Sequence, residues 1–148
     1  MALEDNLIFM ITPTTTNVVS GSIIPLTTIA RRTGKILRSN SDSILLKMPG
    51  YYKVTATITF TAPTAGEVEI KIKKYSTDVP GIIVGSTVTD TDTYSLALSG
   101  IVRVMCFEGQ ATLTLVNSGV AIDTSNVSFD IEYLGWYICI LHYLKKQM

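Results

Sequence analysis

The 148-residue sequence holds one histidine, one tryptophan and two cysteines, and only 16 % of its residues are charged. Each scarcity removes a class of chemistry. His142 alone would have to serve any Ser-His-Asp triad or His-rich metal site, and no suitable partner stands near it, so a structural role is expected. Cys106 and Cys139 make no disulfide framework, since small domains that rely on bridges carry more of them at short spacings; both are expected as buried small hydrophobes. Twelve basic residues balance twelve acidic ones. The basic residues form no cluster larger than Arg31-Arg32 or Lys71, Lys73 and Lys74, so the electrostatic footprint of a nucleic-acid binder is missing. "PTAGE" and "PGIIVG" lack the lysine and the strand-helix setting of a phosphate loop, so no cofactor is expected. The most apolar stretch, Tyr133 to Leu144, is interrupted by Gly135 and His142 and falls short of the ~20 residues of a spanning helix, so no membrane insertion is expected. The N-terminus carries Glu4 and Asp5 where a secretory signal has a basic start.

What is abundant is the vocabulary of strands. Hydrophobic residues make up 47 %, and Thr, Val, Ile and Tyr suit pleated surfaces. The low charge suits a β-protein that buries further surface by associating. In "SILLKMPGYYKVTATITFTAP" an apolar run stops at Pro49-Gly50. Val54, Ala56, Ile58 and Phe60 then share one face, and Lys53, Thr55, Thr57 and Thr59 the other, as a strand period of two requires. Val68, Ile70 and Ile72 alternate with Glu67, Glu69, Lys71 and Lys73, and "YSTDVPG" is expected to close that strand. Further strands are expected over Ile82 to Val88, over Tyr94 to Ser99 ending at Gly100, over Ile101 to Phe107, over "ATLTLV", and over Val127 to Tyr133. "GSIIPLTTIARR" and "GKILRS" read as two shorter strands, the first demoted to an edge or bulged strand by Pro25. No convincing helical period appears outside the C-terminal tail, so the fold class expected is all-β, an antiparallel two-sheet jelly-roll sandwich with a short C-terminal extension. The expected divisions are an N-terminal arm or edge strand over 1–20, the jelly roll over 21–134 and an apolar tail over 135–148.

"ILLKMPGYYKVTATITF" resembles the signature of C1q/TNF-like jelly rolls, in which an apolar strand reaches a Pro-Gly turn, then Tyr, then a long alternating strand. "VEIKIKK", "YSLALSGIVRVMCFEGQATLTLV" and "VSFDIEYL" follow in the same order. Short, Thr-rich domains with a "GSIIPL"-like opening and a basic pair are most similar to those on bacteriophage particles, as head fibre, capsid decoration or tail-tip proteins. The resemblance implies a homotrimer packed edge to face about a threefold axis, with Tyr51 and Tyr52 at core or interface positions. It also implies a place on the virion, assembly in the host cytoplasm, and other virion proteins as partners.

Individual residues allow sharper expectations. Arg31 and Arg32 can clamp a carboxylate of a neighbouring subunit or stay exposed. Asp90 and Asp92, with Asp78, can offer oxygens to a hard cation, form the paired acids of a glycosidase, or mark a solvated loop; the solvated loop is preferred, so no metal is expected. The tail "GWYICILHYLKKQM" is apolar on both strand faces, which makes Trp136, Tyr137 and Ile140 candidate contacts to sister subunits or another protein. Leu7, Phe9 and Ile11 alternate as a strand able to add to a partner's sheet edge. The function expected is a non-enzymatic structural virion protein. The alternative is a tip that binds a host surface glycan or protein through the loops Tyr75 to Val79 and Asp90 to Tyr94, with Tyr75, Asp90, Asp92 and Tyr94 as contacts.

Overall fold

The computed structural model describes residues 6–40, 42–89 and 92–135, and among these there is no helix. Eleven strands follow one another: β1 (Leu7–Thr12), β2 (Thr16–Val18), β3 (Thr28–Thr33), β4 (Ile36–Arg38), β5 (Ser43–Leu46), β6 (Gly50–Thr61), β7 (Gly66–Lys74), β8 (Thr77–Val88), β9 (Thr93–Val104), β10 (Ala111–Asn117) and β11 (Ile122–Gly135). One sheet has the order β3-β1-β11-β6-β9, with β2 also on β11; the other has the order β4-β5-β10-β7-β8. All pairings are antiparallel.

The alternation read in β6 is the alternation observed. Tyr52, Val54, Ala56, Ile58 and Phe60 are buried against the second sheet, joined by Ile8 and Met10 of β1 and by Val127, Phe129 and Ile131 of β11. Ile70, Ile72, Leu113 and Leu115 answer from the five-stranded sheet. Thr55, Thr57 and Thr59 fall on the outer face, half-buried. Polar groups that enter the core are satisfied. Asn117, fully buried, donates through Nδ2 to the carbonyls of Val18 (3.2 Å) and Val120 (2.9 Å). Thr12 donates to Pro25 O at 2.7 Å and accepts from Thr27 N at 3.1 Å. Among the described residues no buried side-chain nitrogen or oxygen lacks a partner, as a dry interior demands.

Several boundaries differ from the sequence expectations, each for a local reason. "GSIIPL" is not a strand: apart from the bridge of Ile23 to Val116, regular pairing begins only at Thr28. Pro80-Gly81 does not end a strand either, because β8 runs through it. The strand is the outermost of its sheet, where a missing N–H is tolerated, and the register slips between Lys71 and Lys73 opposite it. The true turn is at Tyr75, whose φ is 57°. Gly100 likewise lies inside β9. There a Cβ would stand 2.6 Å from Ile82 Cγ1 of the facing sheet, so the glycine marks close sheet packing and not a chain reversal. Beyond it, β9 stops at Val104, which leaves Phe107 in the following turn. Finally, β11 extends to Gly135, one residue past the expected end of the domain. Within the segment 1–20, β1 is hydrogen-bonded on both sides, to β3 and to β11, so β1 has no free edge, whereas β2 pairs with β11 alone among the described strands.

Candidate interaction surfaces

The Pro49-Gly50 turn that opens β6 is held by two tyrosines. Tyr52 Oη accepts from Met48 N at 3.2 Å and donates to Met48 O, and Tyr133 Oη donates to Pro49 O at 2.8 Å. Their rings lie 5.0 Å apart, tilted by 56°. Burial pushes the Tyr52 phenol up to about 12 against the opposing pull of the Met48 hydrogen bond, and burial, then proximity to Tyr52, raises Tyr133 further. Both therefore stay neutral donors. Gly50 has φ of 138°, and a Cβ there would collide with the carbonyl oxygen of Gly135; this is a position only glycine fills. Of the two tyrosines proposed for core or interface, Tyr52 is core, whereas Tyr51 is half-buried on the outer face.

That outer face belongs to the six-stranded sheet, and four of its strands, β1, β11, β6 and β9, build it side by side. The register sets Leu7, Phe9 and Ile11 of β1 beside Glu132, Asp130 and Ser128 of β11. Lys53, Thr55 and Thr57 of β6 follow, then Ile101, Ser99 and Ala97 of β9. It carries short side chains together with the charged Lys53 and Glu132, three large apolar side chains along β1, and Ile101, 50 % exposed, at the opposite edge. Burial, with Glu132 adding to it and Lys53 opposing, lifts the Asp130 carboxyl above its ordinary range. Arg31 pairs in register with Phe9 at the β3 border, and Arg32 donates through Nη1 to Gly34 O at 2.8 Å, tying its own hairpin. Both arginines are exposed in the protomer.

The two loops proposed as one contact surface lie apart. Tyr75 belongs to the end of the sandwich marked by Gly50: it is 52 % exposed, donates through Oη to Gln110 O, and its backbone N–H bonds Thr112 O at 2.8 Å. Asp92 and Tyr94 belong to the end marked by Thr61, roughly 35 Å away along β6 at the usual strand rise. There Thr89 Oγ1 donates to Asp92 at 3.0 Å, Thr89 N donates to Tyr94 Oη at 2.9 Å, and the Tyr94 ring stacks on Phe60 at 6.0 Å. Asp78 sits near Tyr75, bound to Lys71 at 3.0 Å, with its carboxyl held below the usual range chiefly by that bond. It therefore cannot join Asp92 around a cation, and among the described residues no group of three metal-ligating side chains forms. Asp90, Trp136, Tyr137 and Ile140 lie outside the described residues.

The β9–β10 turn, expected at Glu108-Gly109, carries the most exposed large apolar side chain among the described residues. Phe107 is 81 % exposed at its tip. The turn beneath it is braced: Glu108 accepts from Met105 N at 2.8 Å and from Lys74 Nζ at 3.0 Å, and Lys74 also donates to Arg103 O at 3.0 Å. Burial alone would raise the Glu108 carboxyl, but the Met105 N–H and the Lys74 ammonium, with Arg103 nearby, hold it below the usual range. A cleft of about 420 Å³ runs beside this turn between β8 and β9, lined by Val79, Pro80, Ile101, Val102 and Met105 among others. Cys106 is half-buried in the turn and disulfide-bonded, which corrects its reading as a buried small hydrophobe: it stands past the end of β9, off the inward-facing rows of the sheet. Cys139 lies outside the described residues. No run of alternating residues could have announced Phe107; the acidic-Gly pair of the turn was the one visible signal.

With the geometry described, comparison with solved structures is decisive for the fold. The chain is similar to the PRD1 vertex protein P5, with a TM-score of 0.57 at 15 % identity over 90 % of this chain and 100 % of that one. It is similar to the globular domain of the zebrafish complement 1qA protein, with a TM-score of 0.55 at 11 % identity over 85 % and 94 %. Murine APRIL matches with a TM-score of 0.58 at 9 % identity over 88 % and 99 %. The fold is a C1q/TNF-like jelly roll. No family model matches the chain, and no curated protein matches it.

Proposed function

We propose that this jelly roll is a non-enzymatic structural module of a bacteriophage particle, assembled as a homotrimer and mounted on another virion protein. The observation that carries the reading is the full-length match to a vertex protein, P5, which is covered over 100 % of its chain. The motif order shared with phage jelly rolls adds to it. The proposed subunit interface is the outer face of the six-stranded sheet, met by the β9 edge of a neighbour. Leu7, Phe9 and Ile11 supply the apolar area, and each such side chain, once buried, contributes about 1.5–3 kcal/mol. The threonines of β6 keep the face flat. Arg31 and Arg32 stand at the border of this surface, available to a neighbour's carboxylate, and Tyr51 lies on it.

The proposed domain is 21–134 with β1 packed onto it, and the tail from 135 is the proposed attachment element, through Trp136, Tyr137 and Ile140. In support, Asn6 and Gly135 lie at one end of the sandwich, where Tyr133 N donates to Asn6 O at 2.8 Å. The loops around Asp92 and Tyr94 then face away from the mount. Electron microscopy of particles labelled at the Asp92 loop tests the reading: label projecting from the capsid or a fibre is expected, and particles that lack the chain contradict it. A second reading, a receptor- or glycan-binding tip, draws on the hydrogen-bonded Thr89, Asp92 and Tyr94 cluster at that distal end. Selective binding on a glycan array would favour it.

A further inference from the structure

The outermost strands of a sheet present unpaired N–H and C=O groups, and natural proteins protect such edges with short strands, prolines, bulges or charges. Of the strands that end the two sheets, β3, β9, β4 and β8, three are protected in this way. β4 is three residues long, β8 carries Pro80 and faces a register slip, and β3 slips against β1 and brings two arginines. β9 is twelve residues long, with no proline, no slip against β6 and one charged residue, Arg103. Its edge is open to a partner.

The outer face of the same sheet has what such an edge lacks. Thr55 and Thr57 are half-buried on it, and among the described residues their hydroxyls have no hydrogen-bond partner. A hydroxyl both donates and accepts, so it can serve an N–H or a C=O of a strand laid across it. The charges are complementary too. Among the described residues the ion pairs are those of Lys71 and Lys73 with Asp78 and of Lys74 with Glu108. The acids near Arg103, Asp78 across the cleft and Glu108 in the turn, are thus already held by lysines. On the face, Asp130 and Glu132 stand with one lysine, Lys53, in register beside Glu132, and Arg31 is separated from Asp130 by Phe9. Burial, then Glu132, raises the Asp130 carboxyl, as expected of an acid short of counter-charge.

We propose that β9 of one subunit lies along the outer face of the next, with its edge N–H and C=O groups bonded to the neighbour's Thr55 and Thr57 hydroxyls and Arg103 paired with the neighbour's Glu132 and Asp130. The contact rests on the reading of the chain as a homotrimer, and it gives the polar residues of the face a part that apolar burial alone does not. The heights agree. Arg103 is in the row of Tyr51 and Gly135, and Glu132 is in the row of Lys53, two residues further along β6. With a threefold axis along the strands, rows of different subunits are level, so Arg103 stands about 7 Å along the axis from the neighbour's Glu132, within reach of its long side chain. Ser99 and Ala97 of β9, in register with Thr55 and Thr57 of their own chain, are then level with the same threonines of the neighbour.

Light scattering on the full chain across a dilution series tests the contact, with far-ultraviolet circular dichroism to confirm the fold of each variant. Arg103→Glu and Glu132→Arg should each raise the concentration at which trimers dissociate by at least about tenfold, since each sets like charges against one another. The two reversals combined in one chain should recover most of that loss. Thr55→Val with Thr57→Val keeps the shape and makes the face more apolar, which would tighten a contact held by apolar burial. It should instead weaken the trimer, because the edge of β9 is left with unsatisfied backbone groups. Trimers that ignore both single reversals, a combined reversal no tighter than either single one, or a Thr55→Val, Thr57→Val chain as tight as the parent overturns the proposal while the trimer itself stands. A parent that is a single chain at micromolar concentration overturns both.

Discussion

Replacing Phe60 by Ala removes a ring with no solvent exposure from the core near the Thr61 end of the sandwich, where it stacks on Tyr94 at 6.0 Å and sits in register between Thr124 and Tyr94. The loss of transfer energy plus the residual cavity amounts to roughly 3–5 kcal/mol, of which the ring pair supplies about 0.5–1.5. Against a typical domain stability of about 5–15 kcal/mol, that is a large share. Thr57, three positions earlier, points to the opposite face, so Thr57→Ala should change protomer stability by under about 1 kcal/mol. Urea unfolding followed by far-ultraviolet circular dichroism, at one fixed subunit concentration because association would shift midpoints, separates the two. With a slope of about 1–3 kcal/mol per molar, the Phe60→Ala midpoint should fall by roughly 2 M. A cost under about 1 kcal/mol, or an equal effect from Thr57→Ala in a monomeric preparation, would refute the assignment of faces.

Other positions give independent checks. Gly50→Ala meets both a left-handed φ and the Gly135 carbonyl, so it should destabilise by at least about 1–3 kcal/mol, read in the same urea assay. Glu108 has a depressed carboxyl in the folded state, so its contribution is present above the unfolded carboxylate range near ~4.3 and disappears as the pH falls through the lower folded value; Glu108→Gln should flatten that part of the acid-unfolding curve. Asp130 has the opposite sign: its raised carboxyl means that the fold gains stability as the pH falls through the raised range, and Asp130→Asn should stabilise the protein at neutral pH. Truncation after Gly135 keeps all eleven strands, so it should preserve the β spectrum while abolishing attachment to the particle.

Much of the sheet architecture was legible because half-buried strands alternate strictly. Val54 to Phe60 and Val68 to Ile72 could be assigned to faces residue by residue, and the Pro-Gly-Tyr-Tyr opening already carried the resemblance to C1q/TNF-like jelly rolls. The misreadings came where tertiary context overruled a local signal. Pro80 ends strands in sheet interiors, but β8 is outermost; Gly100 looked like a turn, but it is there because Ile82 packs onto it. The candidate surfaces were less legible for a related reason. Neither the roughly 35 Å between Tyr75 and Tyr94 nor the closeness of Gly135 to Arg103 is a property of spacing along the chain; both follow from which strands pair. Phe107 was expected to end a strand, but β9 stops at Val104 and leaves it in the turn, where an exposed side chain belongs to no periodic pattern.

The central claim is that the outer face of the six-stranded sheet is buried between three subunits. Light scattering on the purified chain and on Thr57→Arg, which places a long charge at the middle of that face, tests it directly. The expected result is about three times the 16.1 kDa chain mass for the parent, and a single-chain mass with an unchanged β spectrum for the variant. A parent that remains a single chain at micromolar concentration, or a variant that still returns the threefold mass, would contradict it.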